Sequence, residues 1–426
     1  MTDKVYKIGM IGGGVVGGGV LTILHSLSST LPLTVPKMVV RDPSKPRSFA
    51  VPSTTSVSGS IDDVLDDASI DIVVEVMGGT GAALDVVKRA LASGKHVVTA
   101  NKALLAEHLE EVLAAGGRGT SLGYEAAVCG GIPIINALQT AYAGDKVTKV
   151  QGIMNGTTNY MLCKMEKGAE YADVLKEAQA LGYAEADPTA DVEGHDVRAK
   201  LAILSKLAFG TTTPITSIPT TGITSITPVD FSYAASMGST IRLIGTAHRT
   251  NLHAENDGPV ALSVCPCVVP LGHPASSVTG AGNLVVVSSD NLGSASYAGP
   301  GAGRFPTANS VVADVVRIVS GSQPDAFPSR GRQSADVGAD TEGRFYVRVQ
   351  ARDSIGIIKS LGSSAEGAGV SIHSVLQGPI SSRDEMDFVV VTEACGGREV
   401  RAMVDGLIQG GKVKGCPVVM PILDLE

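Results

Sequence analysis

Residues 5–27 read VYKIGMIGGGVVGGGVLTILHSL, and the fold is decided there. The apolar run VYKIGMI has the length and composition of a buried strand; it stops at glycines, after which apolar residues recur at helical spacing. Gly12, Gly14 and Gly17 stand at the junction in the order G-x-G-x-x-G. In a chain with 51 glycines such a triplet is weak by itself. Its place, closing a first strand and opening a first helix, gives it meaning: glycines let the backbone approach a pyrophosphate, which the helix N-terminus at Val15 and Val16 receives. The competing reading is a structural glycine turn.

Working outward, PKMVVRD, DIVVEV, KHVVTA and TSLGY are further short strands, and GAALDVVKRALASG and NKALLAEHLEEVLAAGG are amphipathic helices that end at glycine. Strands alternating with helices over about 140 residues predict an α/β fold, a Rossmann-type doubly wound parallel sheet over residues 1–145. The second strand ends Val39-Val40-Arg41-Asp42, with Lys45 and Arg47 following. An acid there binds the ribose 2′-hydroxyl of NAD, whereas an arginine pairs with the 2′-phosphate of NADP. Arg41 and Lys45 favour NADP, and Asp42 keeps NAD open. At the end of a later strand come Thr99, Asn101 and Lys102, outside the carboxyl edge of the sheet where ligands bind. Asn101 reads equally as a helix cap and Lys102 as a first-turn surface residue.

Composition excludes several classes of partner. A formal net charge of −8 without a basic cluster argues against nucleic acid and against an anionic membrane surface. No apolar run reaches the ~18 residues of a membrane span, and the first residues run straight into a strand without a leader, so a cytoplasmic protein is expected. The six cysteines, without a C-x-x-C pair, indicate neither a zinc site nor a disulfide framework.

Residues 178–200, AQALGYAEADPTADVEGHDVRAK, carry the chemistry. Asp196 and Lys200 are four apart, so on a helix they share a face and the carboxylate can orient the amine. Standing alone, the pair reads as well as a solvated ion pair. Upstream, the loop GYEAAVCGGIPI, residues 123–134, offers the hard carboxylate oxygen of Glu125 and a glycine-rich turn that can aim carbonyls inward, a set suited to a small alkali cation; a buried hinge without an ion is the alternative. Cys129 in that loop would be the nucleophile of an acylating semialdehyde dehydrogenase, but no His or Asn stands nearby to activate it.

Ala178, Gly182, Asp187, Pro188, Asp191, Gly194, Asp196 and Lys200 together resemble the spaced pattern of the homoserine dehydrogenase family, as do TANKALLA and the run NGTTN within VTKVQGIMNGTTNYMLCKME. The resemblance implies reversible reduction of L-aspartate 4-semialdehyde to L-homoserine with NADP or NAD, a step towards threonine, methionine and isoleucine, by an enzyme of the stand-alone type. It implies that Lys200 is the acid/base and that Asp196 holds it. Glu185 would bind the substrate ammonium and Asp191 complete the polar shell, with Lys102 contacting cofactor and substrate. Gly12, Gly14, Val15, Val16, Gly17, Arg41, Lys45, Thr99, Lys102 and Gly301 would hold the cofactor. A sodium ion would sit on Glu125 and the carbonyls of Val128, Gly130 and Ile132.

A substrate-binding and dimerisation domain is expected over 146–320, where ALSVCPCVV and NLVVVSS pair in a mixed sheet that also builds a dimer interface, and where residues 300–320 return to the nucleotide domain. Arg304 and Phe305 stand in that returning loop where the family has small residues. Residues 321–341 lack apolar period and read as a linker. Residues 342–426 then run strand, helix, strand, strand, helix, strand, the ferredoxin-like split unit. With Asp353-Ser354-Ile355-Gly356-Ile357 at its first turn, this module resembles an ACT domain, which implies threonine or another amino acid as effector, or a purely structural role in a homodimer or homotetramer. A non-catalytic amino-acid sensor is the remaining alternative.

Overall fold

The computed structural model describes residues 4–117, 119–210, 212–250, 259–327, 342–378 and 384–425. Strand β1, Tyr6–Ile11, feeds helix α1, Val15–Leu27; then follow β2, Leu33–Val39; β3, Ser56–Ser58; α2, Asp62–Leu65; and β4, Ile72–Glu75. Next come α3, Gly81–Ala92; β5, His96–Thr99; α4, Lys102–Ala115; and β6, Leu122–Gly123. The six strands form one sheet in the order β3-β2-β1-β4-β5-β6, every neighbouring pair parallel. That is the doubly wound order expected from residues 5–27. Ile8 and Met10 of β1 and Val20, Leu21 and Leu24 of α1 share its core.

Beyond it lie α5, Ile134–Thr140; β7, Val147–Ile153; α6, Gly156–Met165; α7, Tyr171–Ala180; α8, Thr189–Val192; α9, His195–Phe209; and α10, Pro228–Ser236. Strands β8, Ser239–Arg249, β9, Val260–Pro270, β10, Gly282–Ser289, and β11, Gly293–Pro300, precede helix α11, Arg304–Val319. The last part holds β12, Glu342–Ala351; α12, Ile357–Ala368; β13, Ile372–Gln377; β14, Met386–Thr392; the two-residue β15, Cys395–Gly396; α13, Gly397–Gln409; and β16, Val413–Ile422. Two compact units divide the described residues: one drawn from 1–150, 198–218 and 285–335, the other from 151–197, 219–284 and 336–426.

In the first unit α11 returns to the nucleotide sheet, where Ala308, Val311 and Val315 join the core that α1 faces. The expected linker is described only as far as Phe327, and residues 328–341 lie outside the described residues. Its first residues are held down: Tyr124 stacks on Phe327 with ring centroids 4.9 Å apart, and Gln139 Nε2 donates to Ala326 O at 2.9 Å.

In the second unit β8 and β9 pair antiparallel along their whole length, and β16 lies parallel to β9 at Ile422 and Val268. ALSVCPCVV (β9) and NLVVVSS (β10) belong to one mixed sheet, as expected, but they are not neighbours in it, because β8 takes one side of β9 and β16 takes the other. The C-terminal strands run β16-β12-β14-β13, antiparallel throughout, and α12 and α13 pack together over Val347, Val349, Phe388 and Val390. This is the split unit read from the sequence. It is bound into its unit by more than the strand pair: Arg348 Nε meets the fully buried Asp230 at 2.7 Å, Tyr346 donates to the same carboxylate at 2.9 Å, and Tyr233 donates to Asp387 O.

Candidate active site

The first turn of the parallel sheet gives its three glycines three different tasks. Gly12 has φ +116°, and a Cβ there would lie 2.5 Å from Val76 O; at Gly17 it would lie 2.2 Å from Gly12 O. Neither position tolerates a side chain. At Gly14, the N-cap of α1, a Cβ would meet nothing within 4 Å. Gly14 and Val15 are exposed there, and the first N–H groups of a helix have no acceptor within it, so the open space fits a phosphate.

Arg41 and Lys45 are exposed beyond β2. Asp42 is turned into its own loop: its Oδ1 accepts from Ser44 N at 2.9 Å and Ser44 Oγ at 2.6 Å, contacts that hold its carboxyl below the usual range. The floor of the crevice is set by Glu75, a fully buried acid at the end of β4 that the sequence reading passed over. It accepts from Thr99 Oγ1 at 2.6 Å and from Met77 N at 2.8 Å. Thr99 in turn accepts from Asn101 N, and Asn101 both caps α4 through Leu104 N and donates to Gly79 O. Half-buried Lys102 is thereby fixed as the first residue of α4. Gly301 reaches the loop before α5, where a Cβ on Gly130 would lie 2.5 Å from Gly301 O. The guanidinium of Arg304 lies over the rings of Phe49 and Phe305, and Phe49 lies against Gly18.

In the loop before α5, Cys129 and Gly130 are consecutive residues of positive φ, +53° and +43°, which turns the local carbonyls sharply. Gly130 O accepts from Ser310 Oγ at 2.7 Å. The carboxylate of Glu125 does not fit the cation-ligand role expected of it. Its two oxygens accept from Ile135 N and Asn136 N at the start of α5, at 2.9 and 2.8 Å, and the Arg317 guanidinium stands 3.5 Å away. A guanidinium at that distance opposes a second cation on the same carboxylate. Burial, then the neighbouring Asp314, pushes the Glu125 carboxyl up to about 7. Cys129 is fully buried, which removes the premise of a thiol nucleophile.

The acidic segment meets helix α6 in the second unit. Asn155 caps α6, its Oδ1 accepting from Thr158 N at 2.8 Å, while its Nδ2 donates to Asp191 Oδ1 at 2.7 Å and Asp196 Oδ2 at 2.9 Å. The turn between the two acids is tight: Gly194 has φ +80°, and a Cβ on Gly222 would lie 2.2 Å from Val192 O. Asp196 falls in the first turn of α9, where the helix N-terminus favours a carboxylate, and Lys200 follows one turn later. Both are 7% exposed, which rules out the solvated pair. Glu185 is exposed on the loop before α8, its carbonyl held by Gln179 Nε2 at 3.1 Å. Farther along α9, Lys206 reaches Glu110 of α4 at 3.3 Å.

Among the described residues no helix is long and apolar enough to cross a membrane, and no three His, Cys, Asp or Glu side chains cluster as metal ligands would.

Two family models match the chain: "Homoserine dehydrogenase, NAD binding domain" over residues 12–120 and "Homoserine dehydrogenase" over residues 133–316. A homoserine dehydrogenase of Bacillus subtilis is 38% identical over 91% of this chain and 92% of its own length. One from Synechocystis is also 38% identical, over 98% and 99%. The crystal structure of a homoserine dehydrogenase from Thiobacillus denitrificans superposes with a TM-score of 0.90 at 35% identity, covering 99% of both chains.

Proposed function

The chain belongs to the homoserine dehydrogenase family of nicotinamide-dependent oxidoreductases, and from that premise we propose how its residues divide the reaction. The substrates are L-aspartate 4-semialdehyde and L-homoserine. Lys200 protonates the alkoxide that develops on reduction and removes the hydroxyl proton on oxidation. Asp196 holds the Lys200 amine, Asp191 and Glu185 receive the substrate ammonium, and Lys102 adds positive charge where the oxygen becomes anionic. When bound, the nicotinamide would supply or accept the hydride at the substrate's C4. The observation that carries this reading is the constellation itself, half-buried Asp191 and buried Asp196 tied to one buried amide, with buried Lys200 a single helical turn beyond Asp196.

Gly12, Gly14, Val15, Val16 and Gly17 hold the pyrophosphate; Thr99, Lys102 and Gly301 hold the nicotinamide half. NADP is preferred over NAD, because Arg41 and Lys45 are exposed beyond β2 while the Asp42 carboxylate is committed to Ser44. Sodium is assigned to the carbonyls of Val128, Gly130 and Ile132, and the Glu125 carboxylate that the sequence also offered is left out of its shell because α5 and the Arg317 cation hold it. Residues 342–426 act as an ACT-type module that binds an amino acid such as threonine or assembles a homodimer or homotetramer of a cytoplasmic enzyme. What supports it is the split-unit strand order.

Spectrophotometric assay of the full chain tests the reading. Oxidation of NADPH is expected on addition of L-aspartate 4-semialdehyde, without phosphate and with little sensitivity to thiol alkylation. Phosphate-dependent turnover lost on alkylation would instead indicate acyl transfer, and threonine binding with no turnover would indicate a sensor.

A further inference from the structure

Asp191 and Asp196 are two acids whose nearest oxygens share one donor group, which sets them within about 6 Å of each other. Two carboxylates so close repel, and a donor between them offsets the repulsion. We propose that Asn155 is a positioning residue of the reaction, whose amide holds Asp191 and Asp196 in the spacing and orientation that receive the substrate ammonium and present Asp196 to Lys200. This rests on the reading of Asp191, Asp196 and Lys200 given above.

Hydrogen bonding fixes the orientation of the amide. Thr158 N and Thr158 Oγ1 both reach Asn155 Oδ1, at 2.8 and 2.9 Å, so the oxygen faces α6 and the NH₂ must face the acids. A flipped amide would set its oxygen against two carboxylates and its NH₂ against a backbone N–H. Asn155 is only 5% exposed, so water does not readily replace the lost donors. The cap and the acid bridge are therefore one rigid object. Helix α6 supplies the orientation, and the far end of the same side chain delivers it to residues 36 and 41 positions along the chain.

Because capping and positioning use different atoms, they can be separated. Aspartate caps a helix as well as asparagine does. Asn155→Asp therefore keeps an acceptor for Thr158 N, loses both donors and adds a third carboxylate. Its melting temperature should fall, because the added carboxylate faces two others with no donor between them, but KM for NADPH should stay near wild type, while KM for the semialdehyde rises at least tenfold and kcat falls about ten- to a hundredfold, the scale of a misplaced reacting group. Values of kcat and semialdehyde KM within about twofold of wild type would overturn the proposal. Should Asn155→Asp not fold, Asn155→Ser decides the matter: serine caps but is too short to bridge both acids, so the same split between substrate and cofactor constants is expected, and wild-type kinetics refute it. Lys200→Ala is measured beside them. If that variant keeps more than about a tenth of kcat, the acid/base assignment fails; if it is inactive while Asn155→Asp is normal, only the role of Asn155 fails.

Discussion

At the scale of single residues, burial separates groups that the sequence presents alike. Lys200 and Lys102 are both lysines of a helix's first two turns, yet Lys200 is 7% exposed and follows an amide-bridged acid. Lys200→Ala should lower kcat by about two to four powers of ten with KM for NADPH nearly unchanged, read by steady-state kinetics against both substrates. If Arg41 pairs with the 2′-phosphate as proposed, Arg41→Ala should raise KM for NADPH and leave KM for NADH similar or lower, since only the former carries that group. Equal losses with both cofactors would assign Arg41 to the shared phosphates. Glu125 predicts a pH effect on stability. Facing Asp314, Arg317 and Tyr124, its carboxyl is pushed up to about 7 by burial and then by Asp314, and burial pushes Asp314 up to about 6. Both folded values exceed the unfolded ones, so between them the native state binds more protons, and the contribution to stability is present in acid and lost as pH rises through about 7. Glu125→Gln removes one of these titrations. Whatever its constant cost, its melting temperature should gain on wild type between about pH 5 and pH 8, and a pH-independent gap would show that Glu125 does not titrate in that range.

At the scale of elements, the strand–turn–helix at 6–27 is the part most legible in sequence, because its glycines are demanded by local geometry. They are not interchangeable. Gly17→Ala drives a methyl into Gly12 O and should destabilise the nucleotide-binding half as well as abolish cofactor binding. Gly14→Ala enters open space at φ −82°, so it should leave the melting temperature near wild type and still weaken NADPH binding, because the methyl occupies the volume the phosphate needs. Fluorescence titration with NADPH alongside thermal melts distinguishes the two. In the acidic stretch 178–200 the sequence showed the residues but not how they meet. Helical periodicity put Asp196 and Lys200 on one face, yet the bridge to Asn155 in α6 joins segments that only folding brings together, and in the sequence Asn155 stood only as the first residue of the run NGTTN. Glu75 escaped for a similar reason: one acid in an apolar strand does not announce its role, and its partners are the backbone N–H groups of Met77 and Gly78 and the hydroxyl of Thr99.

At the scale of the whole molecule, residues 342–426 form a recognisable module without being a separate body. They share a unit with residues 219–284, and the join runs through a strand pair and through Asp230, which is 0% exposed. Arg348→Ala leaves that carboxylate buried with its main cation gone and should cost about 3–5 kcal/mol. Arg352→Ala, which breaks only an exposed bridge to Asp384, should cost well under about 1 kcal/mol. Chemical denaturation of both variants checks the contrast. A cut between Phe327 and Glu342 would also strip β9 of β16, so lost activity in a truncated chain would report misfolding before it reported any part of the module in chemistry.

The sequence by itself determined the doubly wound nucleotide fold, the split-unit order of the last 85 residues and the placing of Asp196 and Lys200 one helical turn apart. Each is written in local terms: glycines where the backbone must bend or approach, apolar residues at period 2 or 3.6, charges one helical turn apart. Tertiary structure alone decided which acids meet, that the Glu125 carboxylate serves α5 and Arg317, that Asp42 turns away into its loop, and that β9 pairs with β8 and β16. Those outcomes depend on hydrogen-bond donors and strand edges supplied from distant parts of the chain, and no local pattern encodes which distant group will arrive.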